Sequence, residues 1–144
     1  MILVAKSLSK VVAERAGERC EFCLMTNQLQ NGGFEVDHIH PRSRGGATSL
    51  QNTALICPHC NLQKSDHVDG SDPLTGETVP LFHPRQQIWH DHFEWSVDSP
   101  YLLLGKTPCG RATLARLKMN DPDLLYLRMR LAQVGFDCTK ADFE

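Results

Sequence analysis

Residues 35–64 read EVDHIHPRSRGGATSLQNTALICPHCNLQK. Alternation of apolar and polar side chains through 34–39 predicts a short strand. Pro41 marks its end, and PRSRGGATSLQ (41–51) predicts a loop that is basic at Arg42 and Arg44 and pliable at Gly45 and Gly46. TALIC (53–57) is a second apolar run of strand length. Pro58 then suits the first turn of a helix beginning in PHCNLQKSD. Strand, loop, strand and helix in so short a stretch predict a small α+β unit. A carboxylate and an imidazole, Asp37 and His38, close its first strand. Successive side chains of a strand point to opposite faces. The two can serve one site only if the strand ends or bulges there, or if one side chain reaches around.

Moving outward, two CxxC pairs bracket this unit: Cys20 and Cys23 in CEFC, Cys57 and Cys60 in CPHC. Each pair is a tight knuckle offering two thiolates, and tetrahedral zinc takes four. The 33 residues between Cys23 and Cys57 exceed the roughly 15–20 of common zinc fingers. The clamp must therefore close around an inserted unit, the one carrying Asp37 and His38. Four cysteine ligands leave no open position for water, so such a zinc is structural. Redox-active pairs are the competing chemistry, which measured zinc would decide. His59, inside the second knuckle, is expected at the surface rather than on the metal. Cys109 and Cys138 read as spare thiols.

Asp37 is a hard oxygen donor suited to Mg²⁺, and His38 can accept a proton from water near neutral pH. A phosphodiester resists hydrolysis because its oxygens repel nucleophiles and its alkoxide leaves poorly. A divalent cation and a base offset both difficulties. From His38 through Ser65 the cations are Arg42, Arg44 and Lys64, with no carboxylate before Ser65. Such a loop can grip phosphates without reading bases, or can simply be solvated. Lys64 follows Asn61 by about one turn, so the two are expected on one helix face, where Lys64 would steady a phosphate or leaving group. His40 either shares the His38 face and touches phosphate or metal, or belongs to the loop.

The 144 residues suggest one domain. Fifteen Lys and Arg against 17 Asp and Glu give a net charge of −2, so a nucleic-acid partner must be argued locally. No apolar run approaches the roughly 18 residues of a membrane span, and the opening MILV is shorter than a signal-peptide core. The expectation is a soluble, cytoplasmic protein. SLSKVVAERAGERC predicts a short helix capped by Ser9 and stopped by Gly17, and Asn31-Gly32-Gly33 predicts a turn.

Beyond residue 69 the pattern changes. A turn is expected at 72–76, two strands in HFEWSVDSPYLLL, and helices over 108–119 and 122–134, each opened by a capping residue and a proline. Leu124, Leu127 and Leu131 form a core-facing stripe. Six cations from Lys106 to Arg130 read as a solvated helix face or a second contact strip. His83, His90 and His92 are candidates for a second metal, and Trp89, Phe93 and Trp95 for core packing.

Together CEFC, VDHIHPRSRGG and LQNTALICPHCNLQK resemble the HNH endonuclease family, and LFHPR, HFEW and GRAT extend the resemblance toward bacterial zinc-clamped HNH proteins over nearly the whole chain. The resemblance implies a ββα-metal (His-Me finger) core over about 18–68, clamped by the four-cysteine zinc, with a C-terminal extension over about 69–144. It implies His38 as general base, Asp37 and Asn61 as ligands of a catalytic Mg²⁺ or Mn²⁺, and Asn52 as the residue whose amide pins the loop. Asn61 stands where many members have histidine, making this an HNN variant. The implied partner is DNA, with RNA left open, contacted through Arg42, Arg44 and Lys64. The implied activity is metal-dependent phosphodiester hydrolysis. A zinc-stabilised module that binds nucleic acid without cutting it is the alternative. Oligomeric state, target and biological role are not encoded in these motifs.

Overall fold

The computed structural model describes residues 7–27 and 33–140. Helix α1 (Leu8–Arg15) is capped by Ser7, whose hydroxyl accepts from the Lys10 amide at 3.4 Å; Ser9, the expected cap, lies inside the helix. Gly17, at φ +64, turns the chain after the helix in the left-handed region that glycine favours. The opening MILV, and Asn31 and Gly32 of the expected turn, lie outside the described residues.

Strands β1 (Glu35–His38) and β2 (Thr53–Ile56) pair antiparallel, with Glu35 opposite Ile56 and His38 opposite Thr53. Every residue of β2 is buried, which is why it lacks the polar alternation of β1. Arg15 fastens α1 over its start, donating from Nη1 to Leu50 O at 2.7 Å and from Nη2 to Thr53 O at 2.6 Å. Helix α2 (Pro58–Lys64) follows at once, with Pro58 in its first turn. Its N-cap is Cys57, whose sulfur accepts from the Cys60 amide at 3.4 Å.

The extension builds two more hairpins. Strand β3 (Asp69–Ser71) pairs with β4 (Thr78–Pro80) around the expected 72–76 turn. A short helix α3 (Trp89–His92), absent from the sequence expectations, leads into β5 (Phe93–Trp95), which pairs with β6 (Leu103–Gly105). Helix α4 (Pro108–Arg116) is capped by the Thr107 hydroxyl, which accepts from Gly110 N at 3.0 Å. Helix α5 (Pro122–Gln133) begins after Asp121, whose side chain makes no capping bond.

Residues of GRAT and LFHPR fasten the extension together. In GRAT, a Cβ on Gly110 would stand 2.0 Å from His92 O, so only glycine allows α4 this close to α3. Arg111 makes a bidentate pair with the buried Asp72 at 2.9 Å for both contacts. The Thr113 hydroxyl accepts from Phe82 N at 2.8 Å. Arg85 of LFHPR pairs with Glu21 in the first knuckle, and Glu21 also accepts from Leu55 N at 2.8 Å. The buried residues join the cysteine knuckles to Phe82, Trp89, Phe93, Leu103, Leu117 and Leu124 in one cluster.

The expected core stripe of α5 needs correction at Leu127. Leu124 and Leu131 are buried, but Leu127 is 37% exposed, and the intervening inward position belongs to Arg128, at 0%. Positions 124, 128 and 131 keep the i, i+4, i+7 spacing of a core stripe. Arg128 donates to Tyr101 O and Met119 O and lies 5.4 Å from the Trp95 ring centre. Among the described residues, no helix is long and apolar enough to cross a membrane.

Candidate active site and metal centre

The first knuckle is shaped by its backbone. Cys20 and Met25 are tied by an amide-to-carbonyl bond of 2.9 Å, and Leu24 takes φ +71 to close the turn. The Cys23 amide points at Cys20 Sγ, 3.5 Å away, as Cys60 N does at Cys57. The four sulfurs lie within 4.8 Å of one another and all four residues are buried. Cys23 Sγ and Cys57 Sγ are 3.6 Å apart. Zn–S bonds of about 2.3 Å in a tetrahedron put sulfurs about 3.8 Å apart, so the cluster suits a structural zinc. Hydrogen bonds from the other three thiols hold the Cys23 thiol well below its ordinary value, while those with Cys20 and Cys23 push Cys57 and Cys60 up. Sulfurs this crowded cannot all ionise without a cation between them.

Two contacts clasp this clamp from the extension. Trp89 Nε1 donates to Phe22 O at 2.8 Å. His59 Nε2 donates to Leu117 O and Lys118 O at 3.0 and 2.9 Å. His59 is thus a tether to the end of α4, a role with no signal in the sequence. The four cysteines are the only metal-competent cluster of His, Cys, Asp or Glu among the described residues, so His83, His90 and His92 do not gather into one.

Strand β1 stays regular through His38, so Asp37 and His38 leave it on opposite faces. Asp37 turns inward and is buried. His38 sits at the strand end, where its Nε2 meets Thr48 Oγ1 at 2.8 Å. Thr48, on the loop between the strands, drew no attention in the sequence.

Asn52 binds both ends of that loop. Its Oδ1 accepts from His40 N at 2.8 Å, and its Nδ2 donates to His40 O at 3.0 Å and Ala47 O at 2.7 Å. The loop folds so tightly that a Cβ on Gly46 would lie 1.7 Å from His40 O. Glycine is required there by close approach. The His40 ring donates from Nε2 to Arg44 O at 2.9 Å. Arg42 and Arg44 lie on a 3₁₀ turn and are exposed, and Arg44 Nε donates to Asp66 O at 2.8 Å.

Lys64 departs from its expected place. It is 1% exposed, and its ammonium lies 3.3 Å from Asp37 Oδ1, 3.1 Å from Asp37 Oδ2 and 3.3 Å from Ile39 O. Helix α2 packs on β1, and Lys64, at its C-terminal end, neutralises the strand's inward carboxylate instead of facing solvent. Burial pushes the Asp37 carboxyl up, and Lys64 opposes this. Asp37 Oδ2 has no partner in hydrogen-bonding geometry although it is buried. One turn earlier, Asn61 Nδ2 donates to Glu35 Oε2 at 2.9 Å. Glu35, Asp37, Asn61 and Lys64 therefore share the interface between β1 and α2. A cavity of about 650 Å³ lies beside it, lined by His40, Lys64, His67, Val79, Leu81 and His83.

The C-terminal cations do not form one strip. Arg111 is paired with Asp72, Arg128 is buried, and Lys106 Nζ donates to His90 O at 3.0 Å.

Residues 20–67 match the model of the HNH endonuclease family. The match covers a third of the chain and takes in both knuckles, β1, the loop, β2 and α2. This segment is thus similar to HNH endonuclease domains, a similarity that suggests nuclease-type activity in general and a nucleic-acid substrate. No curated protein matches the chain.

Proposed function

We propose that the chain is a divalent-cation-dependent HNH endonuclease that hydrolyses DNA phosphodiesters, with His38 as general base. The observation that carries this reading is the coincidence of the HNH match with one junction, where β1 ends in His38 and packs Asp37 against the helix bearing Asn61. If Nε2–H donates to the Thr48 hydroxyl oxygen, the lone pair of Nδ1 is left to take a proton from water. Asn52 holds the loop so that this ring keeps its orientation. Arg42 and Arg44, exposed beside it, meet the phosphate backbone.

The donor set at the β1–α2 interface suits Mg²⁺ or Mn²⁺. Asp37 Oδ2 is a buried oxygen without a hydrogen bond, and the Asn61 carbonyl is a second hard donor. Bound by these two, the cation would supply positive charge for the leaving oxygen. The Lys64 ammonium neutralises Asp37 in its absence.

That ammonium also favours a second reading, a zinc-stabilised module that binds nucleic acid without cutting it, in which Asp37 and Lys64 form a permanent structural pair. Plasmid nicking in Mg²⁺, and again in chelator, separates the two. Cleavage in Mg²⁺ that chelator abolishes supports the nuclease; binding without nicking supports the module. His38→Ala is expected to lower nicking by about 10²–10⁴-fold while zinc content and melting stay unchanged. Full activity in that variant removes His38 as the base.

A further inference from the structure

Asn61 does not choose its own orientation. Among the described residues its side chain makes one hydrogen bond, from Nδ2 to Glu35 Oε2 at 2.9 Å. A carboxylate has only lone pairs to offer, whereas a carboxamide has a donor end and an acceptor end. Turning the Asn61 amide over would set its carbonyl oxygen against the Glu35 oxygen, acceptor to acceptor. Glu35 therefore dictates which end of Asn61 faces the strand, and leaves Oδ1 free on the other side.

Glu35 lies two residues before Asp37 on β1, so the two side chains share a strand face. Asn61 and Lys64, one turn apart on α2, meet Glu35 and Asp37 respectively. Glu35 is exposed and pairs across the sheet with Ile56, so nothing in the packing of the core requires a carboxylate there. What its charge does is hold the amide of Asn61.

We propose that Glu35 is a positioning residue that presents the Asn61 carbonyl oxygen to a divalent cation shared with Asp37. This rests on the reading of Asn61 and Asp37 as cation ligands. Groups that orient metal ligands through a hydrogen bond typically change metal affinity by about 10–100-fold when removed. Glu35 touches neither water nor phosphate in this role and acts only through Asn61.

The test is Mn²⁺ binding to the zinc-loaded full chain, followed by paramagnetic resonance of free Mn²⁺. Glu35→Ala is expected to weaken binding by about tenfold, with zinc content and melting unchanged. Glu35→Gln keeps a carbonyl acceptor for the Asn61 amide and restores part of the loss. In an Asn61→Ala background, Glu35→Ala has no further effect, because the group it positions is gone. Wild-type Mn²⁺ affinity in Glu35→Ala, while Asn61→Ala weakens it, overturns the positioning role and leaves the ligand assignment standing. Unchanged affinity in Asn61→Ala overturns the ligand assignment itself.

Discussion

Lys64 shows how a single side chain changes meaning once its surroundings are known. As an exposed lysine it would be a phosphate contact. Buried against both oxygens of Asp37, it is half of an ion pair inside the protein. Removing one partner of such a pair leaves the other charge uncompensated, at a cost of about 3–5 kcal/mol. Lys64→Met is accordingly expected to destabilise the chain by about that amount in urea denaturation. Lys64→Met combined with Asp37→Asn recovers most of it, since no buried charge remains. A single variant as stable as wild type would show that water reaches the pair.

The β3–β4 hairpin is fastened to α4 by a contact that titrates. Hydrogen bonds from Arg111, and smaller ones from Leu74 N and Thr75 Oγ1, hold the Asp72 carboxyl down to about 2. A group depressed in the folded state contributes stability that is present above its unfolded value, near 3.9, and is lost as pH falls through the folded value. Thermal melts between pH 5 and 2 are expected to fall more steeply for wild type than for Asp72→Asn. Equal slopes would show that Asp72 carries no part of the acid response. The loop of 40–52 is an element of another kind. It has no ladder of its own, and its path depends on the three bonds of Asn52 and the bare backbone of Gly46.

Across the whole molecule, the cysteine clamp and the extension are one structure. The cysteines belong to the same buried cluster as Phe82, Trp89 and Leu117. Hydrogen bonds from the neighbouring thiols dominate the lowering of the Cys23 thiol, and the buried Arg128 of α5 adds a smaller pull from a distance. Removing zinc should therefore loosen more than the knuckles. Chelation, followed by near-ultraviolet circular dichroism of the tryptophans, is expected to lose the Trp89 signal together with the zinc. Retention of that signal in zinc-free protein would mean that the core stands without the clamp.

Much of this was legible in the chain because it is local. The two CxxC knuckles, the strand–loop–strand–helix order and the prolines opening α2, α4 and α5 depend on near neighbours, and backbone sterics act over a few residues. The gathering of the sulfurs follows from the ligand arithmetic of one ion. Other assignments rest on residues distant in sequence. Lys64 became buried because α2 lies on β1. Arg128 took a core position because carbonyls from two turns and the Trp95 ring surround it. His59 and Thr48 found partners that no spacing could reveal, and Glu35 acquired a role through a helix that starts beyond the loop. Burial and hydrogen-bond partners are properties of a packed neighbourhood, and that neighbourhood exists only after the elements have docked.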